Sequence, residues 1–124
     1  MRRQFFAGVL AAGAMLAGGV PAMAQGHAQS CFYPNQWTSW KAPDDHTIFL
    51  KVGARIFRLD TGSCPTLMTG GTLITRNQST QLCSAIDWDL RVRSGGGITT
   101  GCIVTNMTQL SPDQAAALPP NARP

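Results

Sequence analysis

The run Ile86-Asp87-Trp88-Asp89-Leu90-Arg91-Val92-Arg93 alternates apolar and charged residues without a break. That period of two predicts a strand with Ile86, Trp88, Leu90 and Val92 on a buried face and four charges in water. Residues 47–52 repeat the pattern with Ile48, Leu50 and Val52, and residues 56–60 follow after Gly53-Ala54, a link suited to a II′ hairpin. In that register Leu50 opposes Phe57 and Ile48 opposes Leu59. Further strands are predicted at 31–33, 72–76 and 98–107, the last with Gly101 as a bulge. Gly70-Gly71 and Ser94-Gly95-Gly96-Gly97 read as turns. Ser111-Pro112-Asp113-Gln114 joins an N-cap Ser, a Pro at the first helical position and a capping-box Gln, which predicts a short helix stopped by Pro119-Pro120. Short strands between tight turns imply an all-β fold, a small antiparallel meander that is curled or barrel-like, with a short C-terminal helix.

The N-terminus reads differently. Arg2 and Arg3 precede an apolar stretch over residues 5–20, and Ala22-Met23-Ala24 forms a small-x-small site before Gln25. This is the pattern of a cleaved secretory signal covering residues 1–24. Sixteen residues with four Gly fall short of the roughly 18–20 apolar residues that span a bilayer. Arg2-Arg3-Gln4-Phe5-Phe6 also resembles a twin-arginine signal; the Sec route is preferred, because a disulfide-dependent domain folds poorly in a reducing cytosol. Residues 25–30 and 119–124 are expected to be flexible tails around one domain over 31–118.

Export changes what composition implies. The whole chain has 124 residues, a net charge of +4 and a pI near 9.2, which invites a nucleic-acid partner. Removing residues 1–24 leaves 100 residues and a charge of +2, so that partner is not expected. Six Asp make up the entire carboxylate inventory, there is no Glu, and His occurs twice. That is little material for acid–base chemistry, and no catalytic residue or cofactor is assigned.

Cys31, Cys64, Cys83 and Cys102 all follow the signal, with spacings of 33, 19 and 19. No close pair suits zinc and no C-x-x-C-H suits haem, so two disulfides are expected. Three pairings are possible. Cys64–Cys83 with Cys31–Cys102 is favoured, the first clipping a local loop and the second tying the domain ends together. Closing such loops contributes about 3 and about 4 kcal/mol.

Cys31, Asp45-His46-Thr47-Ile48-Phe49-Leu50, Leu59, Cys64-Pro65-Thr66-Leu67, Leu82-Cys83-Ser84 and Cys102 follow one another in an order that resembles a family of small exported bacterial proteins known as a domain of unknown function. The resemblance covers about residues 31–110 and rests on the cysteine spacing with its Cys-Pro-x-Leu and Leu-Cys pieces. Thr66 stands where that family often has Gly, and an acidic residue after Leu82-Cys83 is displaced to Asp87. The resemblance implies an exported, single-domain, cysteine-framed protein and carries no activity or substrate.

Asp44, Asp45 and His46 are the one polar cluster that could hold a divalent metal or supply a hydrolytic base. Adjacent residues converge on one ion only through a sharply bent backbone, so a solvated turn into the next strand is the simpler reading. Asp87 and Asp89 would share a strand face at about 7 Å, a carboxylate separation known from glycosidases, but Arg91 and Arg93 continue that face. His27 falls in the N-terminal tail. Ser84 and Ser94 lack a His–Asp arrangement. The sequons at Asn77 and Asn106 match by accident in a bacterial protein. Arg55, Arg58, Arg91 and Arg93 could form a basic stripe. Tyr33, Trp37 and Trp40, with Phe32, concentrate aromatic area near the N-terminus, either as a binding face or as a cap on the core. The expectation is therefore a monomeric, non-enzymatic binding or envelope-associated module of the periplasm, engaging an envelope protein or a small ligand. The alternative is a metal-binding or hydrolytic protein centred on Asp44, Asp45 and His46.

Overall fold

A computed structural model describes residues 30–76 and 80–124. The expected signal, residues 25–29 with His27, and the Asn77 sequon lie outside them. Among the described residues seven strands form two open antiparallel sheets. The first has the order β1-β2-β3-β7, with β1 Trp37–Lys41, β2 Thr47–Val52, β3 Arg55–Thr61 and β7 Val104–Gln109. The second has the order β4-β5-β6, with β4 Thr72–Thr75, β5 Leu90–Arg93 and β6 Thr99–Cys102. The mostly β, antiparallel composition and the β2–β3 hairpin match expectation, whereas β1 is a strand the pattern did not predict. The expected curled or closed barrel is not formed, because no strand of one sheet pairs with a strand of the other.

The β2–β3 hairpin is the part that short-range patterning controls most fully. Leu50 pairs with Phe57 and Ile48 with Leu59, and Gly53 supplies the positive φ (60°) that primed two-residue turns require. The apolar face of this hairpin, Ile48, Leu50, Val52, Phe57 and Leu59, packs with Leu73, Leu90 and Val92 of the second sheet in one shared core. Gly71 lets β4 approach β5: a Cβ there would stand 2.5 Å from the Arg93 carbonyl oxygen.

Several expected elements are shorter or broken. Residues 31–33 make only a bridge, Phe32 opposite Leu82. The run 86–93 becomes a 3₁₀ turn, Ala85–Asp87, followed by β5, because the Asp87 carboxylate turns back to accept the Cys83 and Ser84 N–H groups. Leu90 and Val92 are buried as predicted, whereas Ile86 is 89% exposed. Gly101 is no bulge; it pairs in register with Arg91. The break falls at Ile103, where the chain leaves the second sheet and joins β3, with the Gly62 N–H donating to the Ile103 carbonyl. Helix α1, Pro112–Ala116, starts as predicted, with Ser111 N–H donating to Gln114 Oε1 (2.9 Å) and Gln114 N–H to Ser111 Oγ (3.2 Å). The segment expected as a loose C-terminal tail instead holds a 3₁₀ turn, Pro120–Ala122, with Ala122 buried and the Arg123 guanidinium donating to the Ala116 and Leu118 carbonyls.

The favoured disulfide pairing is corrected. The bonds are Cys31–Cys83 and Cys64–Cys102. Strand register decides this, not loop length. Phe32 and Leu82 exchange both backbone hydrogen bonds, so the adjacent pair, Cys31 and Cys83, occupies a non-hydrogen-bonded position where antiparallel Cα atoms come closest; theirs are 4.2 Å apart. Cys102 ends β6 beside the sheet switch, opposite Cys64, with Cα atoms 5.7 Å apart.

The four cysteines fall in four different tryptic peptides. Non-reducing peptide mapping should therefore recover linked peptides 31–83 and 64–102; a 64–83 link would contradict the register. With limiting reductant Cys31–Cys83 should open first, since Cys83 is exposed while Cys64 and Cys102 are buried. With loops of 52 and 38 residues, each bond should contribute about 4 kcal/mol.

Candidate functional site

The aromatic residues do not form the open face that their clustering allows. A bulge between Trp37 and Ser39 lets Trp37 pair with Val52 and Trp40 with Leu50, which turns both indoles to the core side of β1. Both are partly buried against the core. Trp37 stacks on Trp88 at 5.6 Å between ring centroids, and Trp88 meets Phe32 edge-on at 6.1 Å. Tyr33 alone stays exposed, beside the 3₁₀ turn Pro34–Gln36. The structure thus brings Trp37 and Trp40 together as a core cap and leaves Tyr33 apart from them.

The Asp44-Asp45-His46 loop closes on itself. Asp44 Oδ1 accepts the His46 N–H at 2.8 Å, and this backbone hydrogen bond holds the Asp44 carboxyl below its usual pKa of 3.8. The two Asp45 oxygens face His46 Nε2 at 3.2 Å and Ser63 Oγ at 3.3 Å. Ser63 donates to the carboxylate and not to the imidazole. Among the described residues no three His, Cys, Asp or Glu side chains converge as a metal group, and the two carboxylates are turned to different partners. The loop's chemistry is that of a hydrogen-bonded turn into β2.

The paired-carboxylate and basic-stripe readings dissolve in the same way. Asp87 caps the turn at Ala85–Asp87, while Asp89 lies near Arg76 (3.9 Å) and Arg91 (3.5 Å). Arg58 is held by Asp60 at 2.8 Å, and Arg55 lies over the Phe57 ring at 5.2 Å. Arg55 and Arg58 are in the first sheet and Arg91 and Arg93 in the second.

What sequence patterning missed is a groove of about 410 Å³ between the segment 85–90 and the sheet switch at 101–104. Its wall includes Ala85, Trp88, Leu90 and Val104, and its rim carries Ile86 and Ile103, the latter 78% exposed. The Trp88 indole N–H donates to Met107 Sδ at 3.3 Å, which fixes the ring behind the groove. Period two assigned Ile86 to the buried face. The contrary signal was present: Ser84-x-x-Asp87 is a capping-box pattern, and a cap at 84 stops a strand from starting at 86. Two apolar side chains projecting into water beside an open groove of mixed lining, which also includes Asp89, mark a contact surface rather than a core. No family model matches this chain, and no curated protein or solved structure matches it either. The resemblance to an exported bacterial family therefore rests on the cysteine frame and its flanking residues alone.

The Asp87 cap is open to direct test. The Cys83 N–H bond is the largest influence on its carboxyl, followed by the Ser84 N–H, and both lower its pKa from 3.8. A carboxyl whose folded pKa is depressed contributes stability above its unfolded pKa and loses it as pH falls through the folded value. The Asp87 carboxyl resonance should therefore titrate below 3.8, with the Cys83 and Ser84 amide resonances moving alongside it. In Asp87→Asn both amides should stop titrating. A midpoint at or above 3.8 would remove the cap from the account.

Proposed function

We propose that this chain is a non-enzymatic binding module of the bacterial envelope, exported to the periplasm, and that it takes an apolar ligand or apolar partner side chain in the groove between Ile86 and Ile103. The carrying observation is that both isoleucines stand exposed on the rim of a cleft backed by Trp88 and Leu90. Burying such side chains on association contributes about 25 cal/mol per Å² of apolar surface.

Two disulfides in one small domain support an oxidising compartment. Among the described residues no helix is long and apolar enough to cross a membrane. The polar inventory supports a binding role over chemistry. Asp44, Asp45, Asp60, Asp87 and Asp89 are all engaged by backbone N–H groups, side-chain donors or arginines, and Asp113 lies in the first turn of α1.

Titration with 8-anilinonaphthalene-1-sulfonate tests the groove. The dye should brighten and perturb Trp fluorescence in the folded protein, and Ile86→Asp should abolish the response without changing the far-UV circular dichroism. Tyr33→Ala should leave it intact. Loss of response in Tyr33→Ala with retention in Ile86→Asp would move the binding surface to the N-terminal aromatic segment.

A further inference from the structure

An antiparallel sheet ends in two strands whose outer backbone groups need an answer, and proteins block them with bulges, charges, shortness or neighbouring elements. Three of the four sheet edges here are guarded. β1 carries the bulge at Trp37/Ser39 and ends on Lys41. β4 is short and runs into Arg76. β7 has the Ala85–Asp87 turn packed beside it. β6 is as short as β4 but, among the described residues, has neither a bulge nor a charge: no charged residue occurs anywhere between Arg93 and Asp113, and Ile98 and Ile103 flank the strand with 69% and 78% of their surface exposed.

The register shows which groups are unanswered. The Ser94 N–H donates to the Ile98 carbonyl, so by alternation the hydrogen-bonded pairs of β5 and β6 are Val92 with Thr100 and Leu90 with Cys102. The N–H and C=O groups of Thr99 and Gly101 then point away from β5, along the free edge. We propose that this edge pairs with the same edge of a second copy of the chain, antiparallel about a two-fold axis through Thr100. This departs from the monomer expected from the sequence.

The self-match is geometric and electrostatic. A two-fold axis normal to the sheet keeps side chains on the same face and sets Thr99 of each copy opposite Gly101 of the other. Both outward-pointing residues then exchange backbone hydrogen bonds, and the Thr99 side chain lies beside a residue with no side chain, where a Cβ would meet nothing within 4 Å. Two neutral strands meet without like-charge repulsion, in a chain whose net charge after export is small. A contact four residues long buries little area, so the dimer forms reversibly and only as concentration rises. Gly101 and Ile103 also line the groove, so the two readings are separated experimentally through Ile86, which lies off the β6 edge.

Sedimentation analysis of the purified protein across a wide concentration range tests this. The wild type should move from the mass of one chain to twice that mass as concentration rises. Thr99→Pro deletes an outward N–H that no intramolecular bond uses, and Ile98→Lys places a charge at the strand's end. Each variant should remain at the mass of one chain while keeping the wild-type far-UV circular dichroism and Trp emission. Ile98→Lys keeps the test decisive if the proline variant fails to fold, and Ile86→Asp should dimerise like the wild type. A wild type at the mass of one chain at every concentration, or an Ile98→Lys variant that dimerises unchanged, would overturn the proposal.

Discussion

Phe32 is the residue on which the two sheets converge. Neither sheet hydrogen-bonds to the other through its strands, so their union is a matter of side chains, two disulfides and one strand switch. Phe32 sits at the middle of that union, 1% exposed, with its ring 4.7 Å from Phe57 of β3 and edge-on to Trp88 just ahead of β5. Its backbone is locked to Leu82, and that lock places Cys31 opposite Cys83. Aromatic pairs of this kind add about 0.5–1.5 kcal/mol beyond the area they bury. The segment reads as a minor bridge in the backbone, yet it orders the aromatic line from Phe57 to Trp37 and sets one disulfide.

The same economy explains where the polar residues went. With 13% charged residues and no Glu, the chain uses most of its carboxylates to close turns and pair arginines. Asp44 and Asp87 each accept backbone N–H groups, and Asp60 holds Arg58 and Asn106 across the first sheet. Carboxylates committed in this way stabilise local geometry. Among the described residues Ile86, Ile98 and Ile103 are the most exposed of the large apolar side chains.

Legibility followed the range of the interaction. The β2–β3 hairpin and the start of α1 were readable because their determinants lie within a few residues: alternation around Gly53-Ala54, and Ser111 with Gln114. β1 was hidden because Trp37 and Trp40 are three apart, out of step with a regular strand until the bulge brings them to one face. The disulfide pairing and the division into two sheets depend on which distant strands lie side by side, and no spacing encodes that. Ile86 is the instructive case. Its place in a flawless alternation was overruled by the Asp87 carboxylate, which lies ahead of β5 and caps the preceding turn, and the overruled residue became part of the candidate site.

The dependence of both sheets on Phe32 is tested most directly by urea unfolding of Phe32→Ala with its disulfides intact, followed by Trp fluorescence and far-UV circular dichroism together. Truncating a fully buried Phe should cost about 3–5 kcal/mol, with both signals changing in step because the sheets share one core. A loss under about 1 kcal/mol, within the range of ordinary surface substitutions, would contradict a central role for this ring.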